Sequence, residues 1–217
     1  CAFGNSALKL NTGDHNCAFG FSALVANTSG ARNTAVGHRA LEANTTAVNN
    51  TAVGDYALSD CTTGVDNTAV GREALQYCTT GNYNSAVGEE SQKVLTTGSY
   101  NSSVGANSLR ALEGGIQNNG FGSGSLIALT TGNYNVAVGA DTAIGMTTGD
   151  NNVCLGHDAG RSNSPSGNIT TGSNNVVLGN NNTTGLYCAD TSISSSDSSC
   201  LLYTSDAADE GLGVDLG

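Results

Sequence analysis

The sequence predicts an all-β chain, a parallel β-solenoid or β-roll of about ten 17-residue coils. Three observations carry this. Glycines of Val-Gly or Phe-Gly type recur at Gly20, Gly37, Gly54, Gly71, Gly88, Gly105, Gly122, Gly139 and Gly156, each 17 residues after the last. A fixed short period in register over this many copies marks a stacked array, not a globule. The unit reads Asn-Thr-Ala-Val-Gly-x-x-Ala-Leu-x-x-x-Thr-Thr-Gly-x-x, too short for a helix pair with its two turns. Finally, equivalent positions hold like residues, as stacked coils about 4.8 Å apart require.

Each part of the unit then takes a role. "NTAVG" is short, β-branched and closed by glycine, and predicts a strand. "TTG" predicts a second short extended piece ending in a turn. The "xxAL" segment fits either a strand corner or a helical turn, because periodicity alone does not separate the two. The column Val36, Val53, Val70, Val87, Val104 and Val138, with Phe19 and Phe121, is expected to be an interior ladder. Leu8, Leu24, Leu41, Leu58, Leu75, Leu109 and Leu126 form a second apolar column. Ala35, Ala52, Ala69, Ala86, Ser103 and Gly120 mark a tight spot. The column Asn16, Asn33, Asn50, Asn67, Asn84, Asn101, Asn118, Asn135 and Asn152 is expected to form an amide ladder. One coil cannot bury its own apolar face, whereas ten stacked coils can.

The period is broken twice. Gly4 stands 16 residues before Gly20, a one-residue deletion, and Gly179 stands 23 after Gly156, an insertion of six that "SNSPSG" (Ser162–Gly167) supplies as a loop. The last 18 residues break every column. One reading frame of the common transposase-type sequencing adapter translates to Cys-Leu-Leu-Tyr-Thr-Ser-Asp-Ala-Ala-Asp-Glu, which is Cys200–Glu210. Residues 200–217 are therefore read as translated adapter and set aside from fold reasoning. The expected organisation is a repeat solenoid over 1–179, a junction over 180–199 and the adapter over 200–217. The chain begins within a repeat at Cys1 and reads as a fragment cut at both ends.

Composition narrows the function classes. The formal charge is −11; Asp206, Asp209, Glu210 and Asp215 supply four of the 18 acids, leaving 14 against seven bases before the adapter. An acidic surface argues against nucleic-acid binding, which leaves a basic footprint. No run of 18 apolar residues exists, so no membrane-inserted helix is expected. No nucleophile elbow, P-loop, HExxH or calcium nonapeptide occurs. The cysteines show no CxxC or zinc spacing. Cys61 and Cys78 stack, as do Cys1 and Cys17, so each pair can approach disulfide distance; the plainer reading is small half-buried thiols. His15, His38 and His157 read as surface residues. Glu89 and Glu90 fall at a variable position and read as a solvated edge. No catalytic residue, cofactor site or metal site is expected. An enzyme of polysaccharide-cleaving type would need a break lined with carboxylates, and Ser162–Gly167 has none.

Two columns face a functional weighing. Tyr83, Tyr100 and Tyr134 share a column with Gln117 in the gap. They form either a ligand surface on which sugar rings stack or an aromatic ladder that packs along the rod or between subunits. The pairs Thr45-Thr46, Thr62-Thr63, Thr79-Thr80, Thr96-Thr97, Thr130-Thr131 and Thr147-Thr148 form a hydroxyl array. Such arrays occur on ice-binding solenoids, but each pair here runs into a turn glycine, and structural threonine ladders are expected.

"NTAVGDYAL" (Asn50–Leu58) and "TTGNYNVAVG" (Thr130–Gly139) resemble repeats of phage and metagenomic tail-fibre proteins. More distantly they are similar to the head repeats of trimeric autotransporter adhesins, whose coils are shorter. "GNITTGSNNVVLGNNNTTGLYCADTSISSSDSS" (Gly167–Ser199) resembles the junction between such repeats and the self-cleaving intramolecular chaperone of endosialidase-type tail spikes. Ser196 and Asp197 match the Ser-Asp that opens that chaperone; the Arg and Lys that follow in the family are absent here. The resemblance implies a homotrimer and a non-enzymatic structural or host-attachment segment of a virion tail fibre. The alternative it implies is an adhesin head on a bacterial surface, with a cell-surface glycan or protein as receptor. An ice-binding solenoid is the minor alternative. Two apolar columns per coil exceed what a thin roll can bury, and a surplus apolar stripe marks an interface. Uniform repeats slip register easily, a physical reason for a trimerising chaperone. Residues 1–199 expressed alone are therefore expected to be poorly soluble or heterogeneous in register; a monodisperse trimer in light scattering would overturn this.

Overall fold

In the computed structural model, which describes residues 1–161 and 167–184, each "TAV" segment is a three-residue strand laid beside its equivalents in the coils before and after. The strands are β1 (Ala2–Phe3), β2 (Cys17–Phe19), β3 (Thr34–Val36), β4 (Thr51–Val53), β5 (Thr68–Val70), β6 (Ser85–Val87), β7 (Ser102–Val104), β8 (Asn119–Phe121), β9 (Val136–Val138), β10 (Val153–Leu155) and β11 (Val176–Leu178). They form one sheet in strict chain order, every pair parallel. This is a parallel β-solenoid of about nine turns, and no helix occurs among the described residues. Registration is by repeat position: Ala35 pairs Ala52, and Val36 pairs Val53. The irregular spacings do not disturb it, since Phe3 pairs Phe19 and Leu155 pairs Leu178.

Only one strand forms per coil. The "TTG" segment is bent rather than extended, yet its backbone still bonds between coils: Thr62 N donates to Thr79 O at 3.1 Å. The "xxAL" segment is a turn, and there Leu58 N donates to Ala74 O at 3.1 Å. All sides of the roll are therefore laddered, which satisfies backbone groups that burial would otherwise strand.

The asparagine ladder forms as expected. Asn67 N donates to Asn50 Oδ1 at 2.9 Å, Asn67 Nδ2 to the same oxygen at 3.2 Å, and Nδ2 also to Gly81 O at 2.8 Å within its own coil. The same pattern repeats at Asn84, Asn101, Asn118, Asn135 and Asn152. These side chains are fully buried from Asn33 onward.

The valine column is not interior, which corrects the expectation. Val36, Val53, Val70, Val87, Val104 and Val138, with Phe19 and Phe121, are 36–46% exposed. Successive residues of a strand point to opposite faces, so in Thr-Ala-Val only the middle residue faces inward. The interior ladder is Ala18, Ala35, Ala52, Ala69, Ala86, Ser103 and Ala137, all essentially inaccessible. The tight spot is real: a Cβ built on Gly120 would stand 2.6 Å from Ser108 Oγ. Against these small residues pack the buried leucines Leu24, Leu41, Leu58, Leu75, Leu109 and Leu126. Gln92 interrupts that column; its amide donates to Ser85 O and Ser103 Oγ at 2.9 and 2.7 Å.

Each coil closes through left-handed residues. Leu24, Leu41, Leu58 and Leu75 have φ of 50–51°, as does Gln92 in the next coil, and two further positions per coil share the region, such as Tyr56 (56°) and Asp66 (57°). A side chain there costs about 1–2 kcal/mol. Burying a leucine returns about 1.5–3 kcal/mol, so the leucine turns are tolerated only because they are packed. The strand-closing glycine is a harder constraint. Gly71 has φ +139°, and a Cβ on it would lie 2.4 Å from Gly88 O.

Replacing Asn67 by Ala removes the acceptor for Asn84 N (3.0 Å) and the donor to Gly81 O. Stranding buried backbone groups costs about 1–3 kcal/mol each. The expected loss is roughly 2–6 kcal/mol in urea unfolding; Asn82→Ala, at the partly exposed rim, is expected to lose less.

Candidate functional site

The outward strand face carries an apolar stripe along every coil. Beside the valines it includes Phe3 (76% exposed), Leu155 and Leu178. Its chemistry is continuous from β1 to β11, because the fourth position of the unit is always Phe, Val or Leu. Next to it run Thr34, Thr51, Thr68, Ser85 and Ser102, the first residues of their strands.

The tyrosine column lies just before the asparagine ladder. Tyr83, Tyr100 and Tyr134 all have left-handed backbones (φ 56°, 62° and 60°) and are about half exposed. Tyr83 and Tyr100 stack, with ring centroids 5.0 Å apart and planes 8° from parallel. Tyr134 stands two coils beyond Tyr100, with the exposed Gln117 between them. The threonine pairs divide their work: Thr62 Oγ1 donates to Thr79 O at 3.2 Å and Thr79 Oγ1 to Thr96 O at 3.2 Å. The first hydroxyl of each pair thus serves the coil stack, which fits the structural reading.

The two positions after the Val-Gly step, expected to be a solvated edge, take part in an ion-pair network with Lys93 and Arg110. The Glu90 carboxylate meets Lys93 Nζ at 3.1 Å and Arg110 Nε at 2.8 Å, and its side chain is only 16% exposed. Lys93 also reaches Glu73 Oε2 at 2.5 Å. This hydrogen bond, with Lys93's charge, holds the Glu73 carboxyl below the ordinary carboxylate range. Arg72 pairs with Glu73 and Glu89. Arg72–Glu89, Glu73–Lys93 and Glu90–Arg110 join neighbouring coils, so the fold brings them together, whereas Arg72–Glu73 and Glu90–Lys93 are local pairs. A cleft of ≈ 270 Å³ opens beside the network, lined by Lys93, Val94, Arg110, Ala111, Glu113, Ile127 and Thr130.

His15, His38 and His157 are all exposed, as expected, and two of them have acidic partners. His38 Nδ1 lies 2.8 Å from Asp55 Oδ1, and its ring stacks on Phe21. Asp141, His157 and Asp158 bring donor atoms within 4.8 Å of one another, a set able to hold a cation. Arg161 bonds Asp158 and lies 3.8 Å from Asp141 Oδ2, so a guanidinium already balances both carboxylates. Ser196 and Asp197, with the rest of the junction beyond Thr184 and the adapter segment, lie outside the described residues.

Of the cysteines, Cys1 and Cys17 form a disulfide, with Cα atoms 4.7 Å apart. Cys61, Cys78 and Cys154 are free and wholly buried, not half-buried. Burial, then the charge of Cys78, pushes the Cys61 thiol up to about 12. Burial pushes Cys78 and Cys154 to about 11. They are packing groups, not nucleophiles.

No protein-family model, curated protein or solved structure matches the chain.

The thiols set an alkaline limit. Unfolded thiols ionise near pH 8.5, at roughly 1.4 kcal/mol per pH unit for each proton released. The folded chain keeps those protons to about pH 11 or 12. Stability is therefore expected to fall as pH rises from about 8.5 towards those values. The slope of denaturation midpoint against pH should be shallower in Cys61→Ala/Cys78→Ala than in the parent, and equal slopes would refute the assignment.

Proposed function

We propose that this chain is a non-enzymatic structural segment of a fibre, of phage tail-fibre type, whose copies associate along the outward strand face. The observation that carries the reading is the apolar stripe of Phe, Val and Leu side chains exposed on all eleven strands. Exposed apolar surface this long is rare on a free monomer and marks an interface. Magnitudes support the use of the whole length. Burying the remaining 40% or so of each valine yields about 0.6–1.2 kcal/mol. Association costs on the order of 4–15 kcal/mol in lost freedom. A few rungs do not overcome that, whereas eleven reach it. Another copy of this chain matches the stripe because its rungs share the same spacing.

The homotrimer and the virion tail-fibre location rest on the resemblance of the repeats and of Gly167–Ser199. An adhesin head on a bacterial surface uses the same rod and the same stripe, and it stands as the alternative. The ice-binding reading is weakened because the first threonine of each pair spends its hydroxyl on the next coil's carbonyl.

The test is sedimentation of the chain and of Val53→Lys/Val70→Lys/Val87→Lys. These side chains point outward, so the coil stack is expected to survive, as circular dichroism would report. The parent is expected to sediment as a mixture of assemblies larger than a monomer and the variant to shift to monomer. A monomeric parent at tens of micromolar would end the reading.

A further inference from the structure

The tyrosine column is interrupted once, by Gln117 between Tyr100 and Tyr134. Tyr83 and Tyr100 stack on each other, so each has one face occupied. Beyond Tyr100 the column continues with Gln117 in the next coil and Tyr134 in the one after. Two strand spacings separate Tyr100 from Tyr134 by about 10 Å. A saturated ring held in van der Waals contact, at about 4 Å from an aromatic plane on each side, needs about 8 Å. Between the tyrosines stands Gln117, exposed, its amide making no hydrogen bond among the described residues. Tyr100 and Tyr134 are 56% and 51% exposed, and Ile116 beside them is 36% exposed.

We infer that Tyr100, Gln117 and Tyr134 form a slot for a neutral pyranose of a β-linked glucan. The aromatic faces are electron-rich and attract the weakly positive C–H groups of a sugar ring. A β-glucopyranose carries its hydroxyls equatorially, so both of its faces present C–H alone and both can be stacked at once. The Gln117 amide supplies a donor and an acceptor at the ring edge. No Lys, Arg, Asp or Glu belongs to the slot, which favours a neutral sugar over an acidic one. The left-handed backbone at each of the three positions (62°, 55° and 60°) is shared by the whole column, so the slot is built before any ligand arrives. The proposal gives a ligand class to the attachment role above. It lies within one chain, however, so sugar binding and self-association are separable.

The probe is cellopentaose, titrated into the full chain while tyrosine emission is followed; the chain has no Trp to mask it. Saturable change is expected. Tyr100→Ala and Tyr134→Ala should each weaken binding about tenfold. Gln117→Tyr should do the same while completing the column, which guards against loss of fold as the cause. Tyr83→Ala, outside the slot, should bind as the parent does. No saturable change up to the solubility limit, parent-like binding by Gln117→Tyr, or equal loss in Tyr83→Ala would each overturn the slot. Sedimentation of the same samples reads the association separately.

Discussion

The buried asparagine column is the constraint on which the coil depends. Each Oδ1 accepts the backbone N–H of the asparagine one coil on, while each Nδ2 reaches a carbonyl that closes its own coil, Gly98 O for Asn84 and Ala47 O for Asn33. One side chain thus joins neighbouring coils and pins the two ends of its own. The left-handed residue before it and the strand after it take their places from that anchor. A shift by one position would set a threonine against an amide and leave buried polar groups unmatched, at a cost no other column offsets. This is why 16- and 23-residue spacings are harmless. The missing residue falls in the bend around Thr12 and Gly13, the extra ones follow Arg161 in sequence, and across both breaks the strands keep their register.

What lies on the two faces follows from how little room the roll encloses. Its centre holds alanines opposite leucines, with Cys61, Cys78, Leu95, Leu112, Leu129 and Met146 filling a third inner column. Larger apolar residues cannot be added inside, so the branched residues of the strand go out. The interior is also not uniform. Around Gln92, Ser91 and Ser103 the packing turns polar: Ser91 Oγ meets Ser103 Oγ at 2.5 Å. A polar island in a repetitive core distinguishes one coil from its neighbours, which uniform alanine and leucine cannot do.

Much of this was legible in the sequence. The 17-residue glycine spacing gave the coil, the asparagine column gave the ladder, and the repeat offset alone stacks Tyr83 on Tyr100. The valine column was misread although the information was present: Ala35 and Val36 are adjacent in a strand and cannot both face inward. Other features had no signal. A leucine at φ near 50° is not a pattern that composition reveals, since the preference it violates is overcome by burial that only the finished stack provides. The Glu73–Lys93 pair spans 20 residues and depends on how two coils overlap. The "TTG" segment has the composition of a strand but bends, because the backbone must turn to bring its glycine carbonyl to the asparagine amide.

The left-handed turns have a consequence for length. Every coil carries the cost of its own three turns, whereas the compensating contacts lie between coils. A stack of n coils bears n such costs and has n − 1 junctions, so the net gain per coil grows with the stack and is lowest for the shortest ones. A single coil, or two, has no stable form of its own, and the first few must come together before any is secure. Thereafter each addition finds a finished template. The rod thus has a threshold for starting and none for continuing, which makes its length a matter of how much repeat the chain encodes.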